Sequence, residues 1–388
     1  MLAHNVQPHK FLTRMAGIYL HIPFCKQKCH YCNFFSLASV KNKVPFLKAL
    51  EREIVLQQEY LHNEEVQTIY FGGGTPSMLE ADEIKHILQT LGRHYRLSPD
   101  VEITLEGNPD DLTFDKIKQF RALGINRLSI GIQSFHDDDL AYLNRVHNAS
   151  HAKNVIKNAF DAGFEKLTID LIYGIPTLTD KKWIANVDYF LETGINHLSA
   201  YALTVEPRTA LAQLIGKGKL KAVDEQQSVR HFEILMQRME AAGFVHYEIS
   251  NFAKPGHYSK HNSLYWIGGN YLGLGPSAHS YNGISRQWNV SHLTKYISEA
   301  GQSESVFEKE ELTLDQRYDE YVMTSLRTSW GCDLEHIQNA FGVRYSNYCI
   351  KQAQSFIREE QIEQREHRLF LTQKGKLFAD GIAAELFI

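Results

Sequence analysis

A short phrase that recurs three times constrains the fold of this chain more than any other feature. It reads ALGINRLSI around Gly124, DAGFEKLTI around Gly163 and ETGINHLSA around Gly194. The first two phrases follow segments in which apolar residues recur at helical spacing, and Thr113 is placed to cap the first of these helices. In each phrase, glycine stands where a helix C-terminus needs a left-handed residue, and a strand-like run follows at once. The phrases predict helix-strand repeats and therefore a parallel sheet.

Further strand-like runs extend this pattern towards the N-terminus. Pro45 can open a helix between the first two runs, and Ile84, Ile87 and Leu91 mark another helix before the third. The sequence therefore predicts an α/β fold, a partial (β/α)6 barrel with its chemistry at the C-terminal ends of the strands. The six predicted strands are IYLHIPF (18–24), VQTIYFGGG (66–74), VEITLEGN (101–108), RLSIGIQSF (127–135), KLTIDLIYG (166–174) and HLSAYALTV (197–205).

The pattern changes after the sixth strand. A long polar helix is predicted over about 224–242, a Gly- and aromatic-rich stretch over 251–290 indicates irregular structure, and helix and strand-turn-helix patterns follow. The predicted organisation is a short N-terminal extension (1–17), a barrel core (18–245), an irregular segment (246–300) and a smaller C-terminal helical or winged domain (301–388).

Composition restricts the classes of protein to which the chain can belong. It is 43% hydrophobic with a net charge of -4, and no apolar run approaches the roughly 20 residues that span a bilayer. The first sixteen residues lack the apolar middle region of a secretory signal. We therefore expect a soluble cytoplasmic protein with reduced thiols, no membrane segment of its own and no nucleic-acid partner.

Three of the five cysteines lie within eight residues, directly after the first predicted strand. Cys25, Cys29 and Cys32 form C-x3-C-x2-C. Three thiolates can bind three irons of a [4Fe-4S] cube and leave the fourth iron open for a small molecule. A zinc site completed by His21 or His30 is the alternative, as are simple buried thiols. The two remaining cysteines, Cys332 and Cys349, are expected to be ordinary buried thiols.

Polar residues mark the ends of the next four strands. The loop GGGTPS (72–77) can bring backbone close to a ligand, and Glu106, Gln133 and Asp170 end the third, fourth and fifth strands. Arg145, placed on a short helix after the fourth strand, offers a charged fork for a carboxylate. Any one of these side chains could instead make a structural hydrogen bond, but together they indicate one ligand site.

The motifs YLHIPFC, YFGGGTPS, EGNP, SIGIQSF, LNRVH and DLIYGIPT occur here in order. In these motifs the chain resembles the radical S-adenosylmethionine (SAM) superfamily, and within it the oxygen-independent coproporphyrinogen III oxidases and their relatives, the HemW-type haem chaperones. The likeness runs from about Tyr19 to the C-terminus. It implies a [4Fe-4S] cluster on Cys25, Cys29 and Cys32, and SAM bound by Tyr19, Tyr31, Gly73, Gly74, Thr75, Glu106, Gln133, Arg145 and Asp170.

Two departures separate this chain from the oxidases. The oxidases carry a further cysteine two residues after the third, at the position of Phe34 in this chain. They also have a longer N-terminal segment. The stretch HNSLYW (261–266) instead matches the H-N-x-x-Y-W motif of the haem chaperones. It implies haem contact by His261, Asn262, Tyr265 and Trp266, with the imidazole as an axial iron ligand and the two aromatic rings as flat porphyrin surfaces.

The leading hypothesis is therefore a haem chaperone that passes haem to acceptor proteins such as respiratory enzymes, without coproporphyrinogen oxidase activity. The competing hypothesis is an oxygen-independent coproporphyrinogen III oxidase, and a zinc-stabilised barrel is a third. The sequence is compatible with a monomer and with a homodimer.

Overall fold

The computed structural model describes residues 15–302 and 306–388. The predicted N-terminal extension lies outside these ranges up to residue 14, and its last two residues begin the first strand. Within the described chain, a large sheet has twelve strands and a small sheet has three. No helix in these ranges combines the length and hydropathy needed to cross a bilayer.

Six parallel strands form the centre of the large sheet, as the helix-strand repeats predict. Each strand pairs with the next one in the sequence, from β1 to β6. The strands are β1 (Ala16–Ile22), β2 (Val66–Gly73), β3 (Leu97–Gly107), β4 (Arg127–Gln133), β5 (Lys166–Tyr173) and β6 (His197–Ala202). The partial (β/α)6 barrel is therefore confirmed.

Helices cover the outer face of these strands and connect them. Gly124, Gly163 and Gly194 follow three of these helices with φ of +95°, +83° and +74°, the left-handed conformation that the recurring phrase predicts. Thr113 caps one helix by accepting a hydrogen bond from the backbone N–H of Lys116. The connecting helices are α1 (Lys43–Leu56), α2 (Ala81–His94), α3 (Phe114–Ala122), α4 (Asp137–Tyr142), α5 (Ala149–Asp161) and α6 (Asp180–Glu192).

Side chains alternate along each strand between the helix layer and the barrel interior. On β1, Ile18, Leu20 and Ile22 are fully buried in the hydrophobic core, whereas Tyr19 and His21 point to the other face. The same alternation places the polar residues of β3 to β6 inside the barrel. The core thus lies between strands and helices, and the interior of the barrel is lined with polar and aromatic groups.

The segment predicted to be irregular (246–300) is instead ordered and widens the sheet at both edges. After α7 (Ala210–Gly216) and α8 (Glu225–Ala241) come β7 (Val245–Glu248), β8 (Asn251–Ala253), α9 (Lys260–Trp266), β9 (Asn270–Leu274), β10 (His279–Tyr281), β11 (Ser285–Asn289) and α10 (Leu293–Glu299). Strand β8 pairs antiparallel with β6, and β9 pairs parallel with β1.

The sequence did not predict these elements, because their strands are short and contain glycine. A Cβ atom at Gly273 would collide with the backbone of His279, so β9 uses glycine where neighbouring backbone comes close. Sequence rules read such glycines as turns. The prediction of irregular structure over this segment is therefore wrong.

The C-terminal part has its own hydrophobic core, which runs from Tyr318 to Leu386. It contains helices and a three-stranded antiparallel sheet, which agrees with the predicted helical or winged class. The boundary at 301 needs correction, since β12 (Phe307–Glu311) pairs with β11 in the large sheet. The remaining elements are α11 (Leu314–Leu326), β13 (Cys332–Asp333), α12 (Leu334–Phe341), α13 (Val343–Arg358), β14 (Ile362–Arg365), β15 (Arg368–Leu371), α14 (Gln373–Lys376) and α15 (Ala379–Glu385).

Candidate functional site

The three clustered cysteines lie on a loop that leaves the C-terminal end of β1. Backbone hydrogen bonds close the loop, from Cys25 N to Leu37 O (3.0 Å) and from Leu37 N to Pro23 O (2.8 Å). At its tip, the backbone of His30 bonds to Leu143 and Leu211. The loop is therefore held in place by backbone contacts that do not use its thiols.

The geometry of the three thiols favours an iron-sulfur cluster over a single zinc ion. A tetrahedral zinc with Zn–S bonds of about 2.3 Å needs its sulfur atoms roughly 4 Å apart. The three Sγ atoms are not among the described groups whose ligand atoms converge within 4.8 Å. His21 bonds through both ring nitrogens, to Phe35 O (2.8 Å) and to the Tyr19 hydroxyl (3.2 Å), whereas His30 bonds through Nδ1 to Tyr142 O (3.2 Å). A histidine zinc ligand commonly donates its second nitrogen to a backbone carbonyl, so it is the spacing of the thiols that argues against zinc. Three thiols fit the three protein ligands of a [4Fe-4S] cluster that leaves one iron open.

Arg145 joins the cysteine loop to the ends of β3 and β4. Its guanidinium donates to Cys29 Sγ (3.2 Å), Asn108 Oδ1 (2.5 Å) and Gly131 O (2.8 Å), and its Nε is buried without a partner. The residue follows α4 by three positions rather than lying on that helix, which corrects the predicted placement. A fixed cation beside the cluster ligands can receive a carboxylate.

The glycine-rich loop after β2 packs directly against the cysteine loop. A Cβ atom at Gly74 would lie 2.7 Å from the carbonyl oxygen of Phe24, and Gly73 has a φ of +104°. Both positions therefore need glycine. Next to them, the Thr75 hydroxyl accepts from Asn108 Nδ2 (3.1 Å) and contacts the thiol of Cys25. Burial raises the pKa of Cys25, and the hydroxyls of Thr75 and Ser36 oppose this effect.

Two buried carboxyl groups, those of Glu106 and Asp170, line the interior cavity below this loop. Burial raises the pKa of Glu106 to about 7, an effect that the charge of Asp170 reinforces and that the hydrogen bond from the Tyr70 hydroxyl to Oε1 (2.6 Å) opposes. Burial also raises the pKa of Asp170 to about 7, against the hydroxyls of Ser199 and Ser129. Both groups can thus exchange hydrogen bonds with a polar ligand near neutral pH.

The other predicted SAM contacts surround the same space. Gln133 ends β4 with a φ of +67°, a strained conformation for a residue with a side chain. Tyr31 lies beside Cys29 and Arg145, and Tyr19 lies near Glu106; burial raises the pKa of both tyrosines. The structure therefore brings the predicted SAM residues to one end of the barrel.

The motif HNSLYW forms the short helix α9, which lies inside the barrel. His261 is 1% exposed, and burial lowers its pKa to about 3. Its Nδ1 is hydrogen bonded to Thr68 Oγ1 (2.8 Å) and its Nε2 to the Tyr265 hydroxyl (2.9 Å). The imidazole stacks on Tyr70 with ring centroids 5.0 Å apart. Both ring nitrogens of the predicted haem ligand are thus occupied.

The other residues of the motif do not all share one surface. Tyr265 and Asn262 line the interior cavity with His261, and Asn262 Nδ2 donates to the Tyr247 hydroxyl (3.1 Å) and to Glu248 Oε1 (3.4 Å). Trp266 lies apart from them, with its ring 5.3 Å from the guanidinium of Arg327 in the C-terminal part. The structure therefore does not bring Trp266 to the same surface as His261.

The interior cavity has a volume of about 230 Å³ and contains polar residues that sequence reasoning missed. Those on β2 to β6 occupy alternate strand positions, a period-2 pattern that could have revealed them, whereas Asn251 begins β8 and Ser259 caps α9. Phe34, at the mouth of the cavity, is 68% exposed. The missed residues that line the cavity are Tyr70, Thr104, Arg127, Ser129, Thr168, His197, Ser199, Tyr201, Asn251 and Ser259.

Family comparisons agree with this architecture. The radical SAM superfamily model matches residues 19–190, and the HemN C-terminal domain model matches residues 312–378. Two proteins named Heme chaperone HemW, from Mycobacterium tuberculosis and Bacillus subtilis, are 36% and 34% identical to this chain. Each alignment covers 95% of this chain, and 94% and 98% of the respective relative. The chain belongs to the HemW family of the radical SAM superfamily.

A solved structure shows the same fold over nearly the whole chain. Coproporphyrinogen III oxidase (HemN) from Escherichia coli, described as a radical SAM enzyme, superimposes with a TM-score of 0.83 at 23% identity. The match covers 97% of this chain and 91% of that one. Membership of the radical SAM superfamily implies a [4Fe-4S] cluster and SAM, for which the cysteine loop and the polar end of the barrel provide groups of suitable chemistry.

Proposed function

We propose that this HemW-family chain is a haem chaperone, which binds haem and passes it to acceptor haem proteins. The observation that carries the proposal is the likeness to HemW proteins at 34–36% identity over 95% of the chain. Those relatives are named haem chaperones, and the alignments cover almost their whole length. The acceptors we propose are haem proteins such as respiratory enzymes, and the proposed place of transfer is the cytoplasm.

The proposed cofactor site follows from the geometry at the top of the barrel. Cys25, Cys29 and Cys32 would bind the [4Fe-4S] cluster, and Arg145 would hold the carboxylate of SAM beside it. Glu106 would accept hydrogen bonds from the ribose, since its buried carboxyl already accepts one from Tyr70. SAM supplies a sulfonium that a reduced cluster can cleave, and the protein groups bind and orient it.

Haem contact is proposed for His261, supported by the match of the motif and by the neutral state of its buried imidazole. Desolvation lowers the pKa of this histidine, so its ring stays unprotonated at neutral pH, as an iron ligand requires. Asn262, Tyr265 and Trp266 belong to the same motif, and their contribution to haem binding is proposed with it.

The second candidate, oxidative decarboxylation of coproporphyrinogen III, is favoured by the fold that the chain shares with HemN. One observation favours the chaperone instead: Phe34 stands where the oxidases have a fourth nearby cysteine.

The testing experiment is an absorbance titration of the anaerobically reconstituted protein with haem. The wild type should bind about one haem per chain saturably, and His261→Ala should weaken binding about tenfold or more, as loss of a metal-site group does. His257→Ala is the matched control, because His257 is exposed and only four residues away. Absence of saturable binding by the wild type would contradict the proposal, and loss of carboxyl groups from coproporphyrinogen in the presence of SAM and reductant would establish the oxidase.

A further inference from the structure

A line of aromatic rings leads from the barrel interior to strand β10. Tyr70 stacks on His261 with ring centroids 5.0 Å apart, and Tyr265 makes an edge-on contact with His261 at 5.1 Å. Tyr265 also contacts Tyr271 at 4.6 Å, and Tyr271 lies 6.1 Å from Tyr281, its cross-strand partner. All four spacings are those of aromatic rings in direct contact. The line therefore joins the cavity to Tyr281, which is partly exposed.

The tyrosines at the inner end of this line share hydrogen bonds with groups that can take up a proton. The Tyr70 hydroxyl donates to Glu106 Oε1 (2.6 Å). The Tyr265 hydroxyl lies 2.9 Å from His261 Nε2, which accepts in the tautomer that carries its hydrogen on Nδ1, next to Thr68 Oγ1 (2.8 Å). Each of these two phenols thus has a proton acceptor within hydrogen-bonding distance.

Tyr19 lies beside Tyr70 and has a partner of the same kind. The ring centroids of the two tyrosines are 6.1 Å apart. His21 Nε2 donates to Phe35 O (2.8 Å), so His21 Nδ1 keeps its lone pair and accepts from the Tyr19 hydroxyl (3.2 Å). The pairing of a phenol with a base therefore occurs three times within one group of contacting rings.

This combination suits the one-electron oxidation of tyrosine. A phenol that loses an electron becomes a strong acid, so the oxidation is easy only where an acceptor for its proton is at hand. Burial raises the pKa of Glu106 to about 7, so the carboxylate that can take the proton of Tyr70 is populated near neutral pH. Burial lowers the pKa of His261 to about 3, so its ring is neutral and can accept a proton from oxidised Tyr265.

We propose that these rings form a relay, which carries an oxidising radical away from the SAM end of the barrel and discharges it at the surface. Its role is to protect the site when such a radical forms with no substrate to react with. The relay goes beyond the proposed function and takes from it only the SAM site as the source of the radical. It gives two residues of the HNSLYW motif a role that does not require haem. The members are Tyr70, Tyr265, Tyr271 and Tyr281, with Glu106 and His261 as proton acceptors.

Each step of the relay moves one electron inwards. The oxidising radical is reduced by an electron from Tyr70, whose O–H bond breaks, and the proton passes to Glu106. Tyr265 then reduces Tyr70, which regains its proton from Glu106, while the proton of Tyr265 passes to His261. The two outer tyrosines repeat this step and exchange their protons with water, since both are partly exposed. A small thiol in solution finally gives one electron and one proton to the outermost tyrosine, and is itself oxidised to a disulfide.

A photo-oxidant attached at the mouth of the cavity tests the relay without cluster, SAM or haem. Phe34→Cys in the full chain supplies the attachment site, because Phe34 is exposed and lines the same cavity as Tyr70. The loop cysteines are replaced so that a ruthenium polypyridyl label reacts only at position 34, and the backbone anchors of the loop use no thiol. The replacements are Cys25→Ser, Cys29→Ser and Cys32→Ser. In this labelled parent protein, flash oxidation with a nitroso spin trap in solution should give an adduct on Tyr281, which peptide mass spectrometry locates.

Tyr265→Phe interrupts the relay, because the ring stays and the phenol is lost. The Tyr281 adduct should fall at least about tenfold, since even a modest rise in the barrier of one step slows it by that factor. Tyr247→Phe is the matched control. Tyr247 also bonds to a histidine, at His197 Nε2 (2.8 Å), but its ring contacts Tyr258 (4.9 Å) outside the line. The adduct yield of this control should equal that of the labelled parent.

An equal yield with Tyr265→Phe, or no adduct on Tyr281 in the labelled parent, overturns the relay. Tyr281→Phe is a second variant, which leaves the barrel interior untouched and removes only the exit. The tyrosyl radical signal in electron paramagnetic resonance should then persist severalfold longer than in the labelled parent, and an unchanged lifetime also overturns the relay. Cluster, SAM and haem are absent throughout, so these failures leave the proposed function standing, and the haem titration tests that function separately.

Discussion

Two carboxyl groups in the barrel interior determine how the stability of the folded protein depends on pH. Burial raises the pKa of both Glu106 and Asp170, and the charge of Asp170 raises that of Glu106 further. Their pKa values near 7 lie well above the ordinary range of carboxyl groups. A raised pKa means that the folded state holds the proton more tightly than the unfolded state. The stability that it contributes is complete below about pH 4.5 and is lost as the pH rises through about 7.

Glu106→Gln should therefore remove part of this pH dependence. Glutamine still accepts the hydrogen bond from Tyr70 but cannot ionise, so the variant should gain free energy of unfolding relative to the wild type at about pH 8. The gain should be at most roughly 3 kcal/mol and should shrink towards about pH 5. Denaturant unfolding of the cluster-free chain at both pH values checks this, and a gain that is independent of pH would contradict it.

At the scale of elements, the cysteine loop is separable from the barrel. Its backbone is anchored through Leu37, Leu143 and Leu211, and none of these anchors uses a thiol. Cys29→Ala should consequently abolish the cluster, because two thiolates do not hold a [4Fe-4S] cube, and should leave the barrel folded. Iron and sulfide content with far-UV circular dichroism measures both effects. Cys349→Ala, in the C-terminal core, should keep near-normal iron, and retained iron in Cys29→Ala would refute the ligand assignment.

The elements also show which parts of the molecule the sequence could predict. Strands β1 to β6 were predictable because long apolar runs alternate with helices that end at Gly124, Gly163 and Gly194. The placement of α9 inside the barrel could not be predicted, because it depends on the contact of Leu264 with Gly17, two residues that are far apart in the sequence. Similarly, Cys332 and Cys349 are far apart in the chain but share a side-chain contact in the C-terminal core. Local patterns predict elements, whereas such pairings arise only from the complete fold.

At the scale of the whole molecule, α9 lies between the proposed SAM site and the C-terminal part. Its last residue, Trp266, contacts Arg327, and its His261 stacks on Tyr70. The Tyr70 hydroxyl in turn donates to Glu106, which we place at the ribose of SAM. One tyrosine thus touches both the group that would bind SAM and the group that would bind haem.

This shared contact predicts that SAM and haem binding are coupled. SAM held at Glu106 should fix Tyr70 over His261 and hold the imidazole in its present hydrogen bonds, so haem binding should weaken about fivefold when SAM is present, a coupling free energy of about 1 kcal/mol. Haem should weaken SAM binding by the same factor, because coupling between two ligands is reciprocal. Haem titrations with and without SAM measure the effect.

Tyr70→Phe should reduce this coupling, because the ring still covers His261 but its link to Glu106 is lost. Tyr95→Phe is the control, since Tyr95 is also buried and its hydroxyl bonds to Ile54 O (3.1 Å) on the outer side of the sheet. The control should behave as the wild type does. Equal haem affinity with and without SAM in the wild type, or undiminished coupling in Tyr70→Phe, would show that the two sites act independently of this tyrosine.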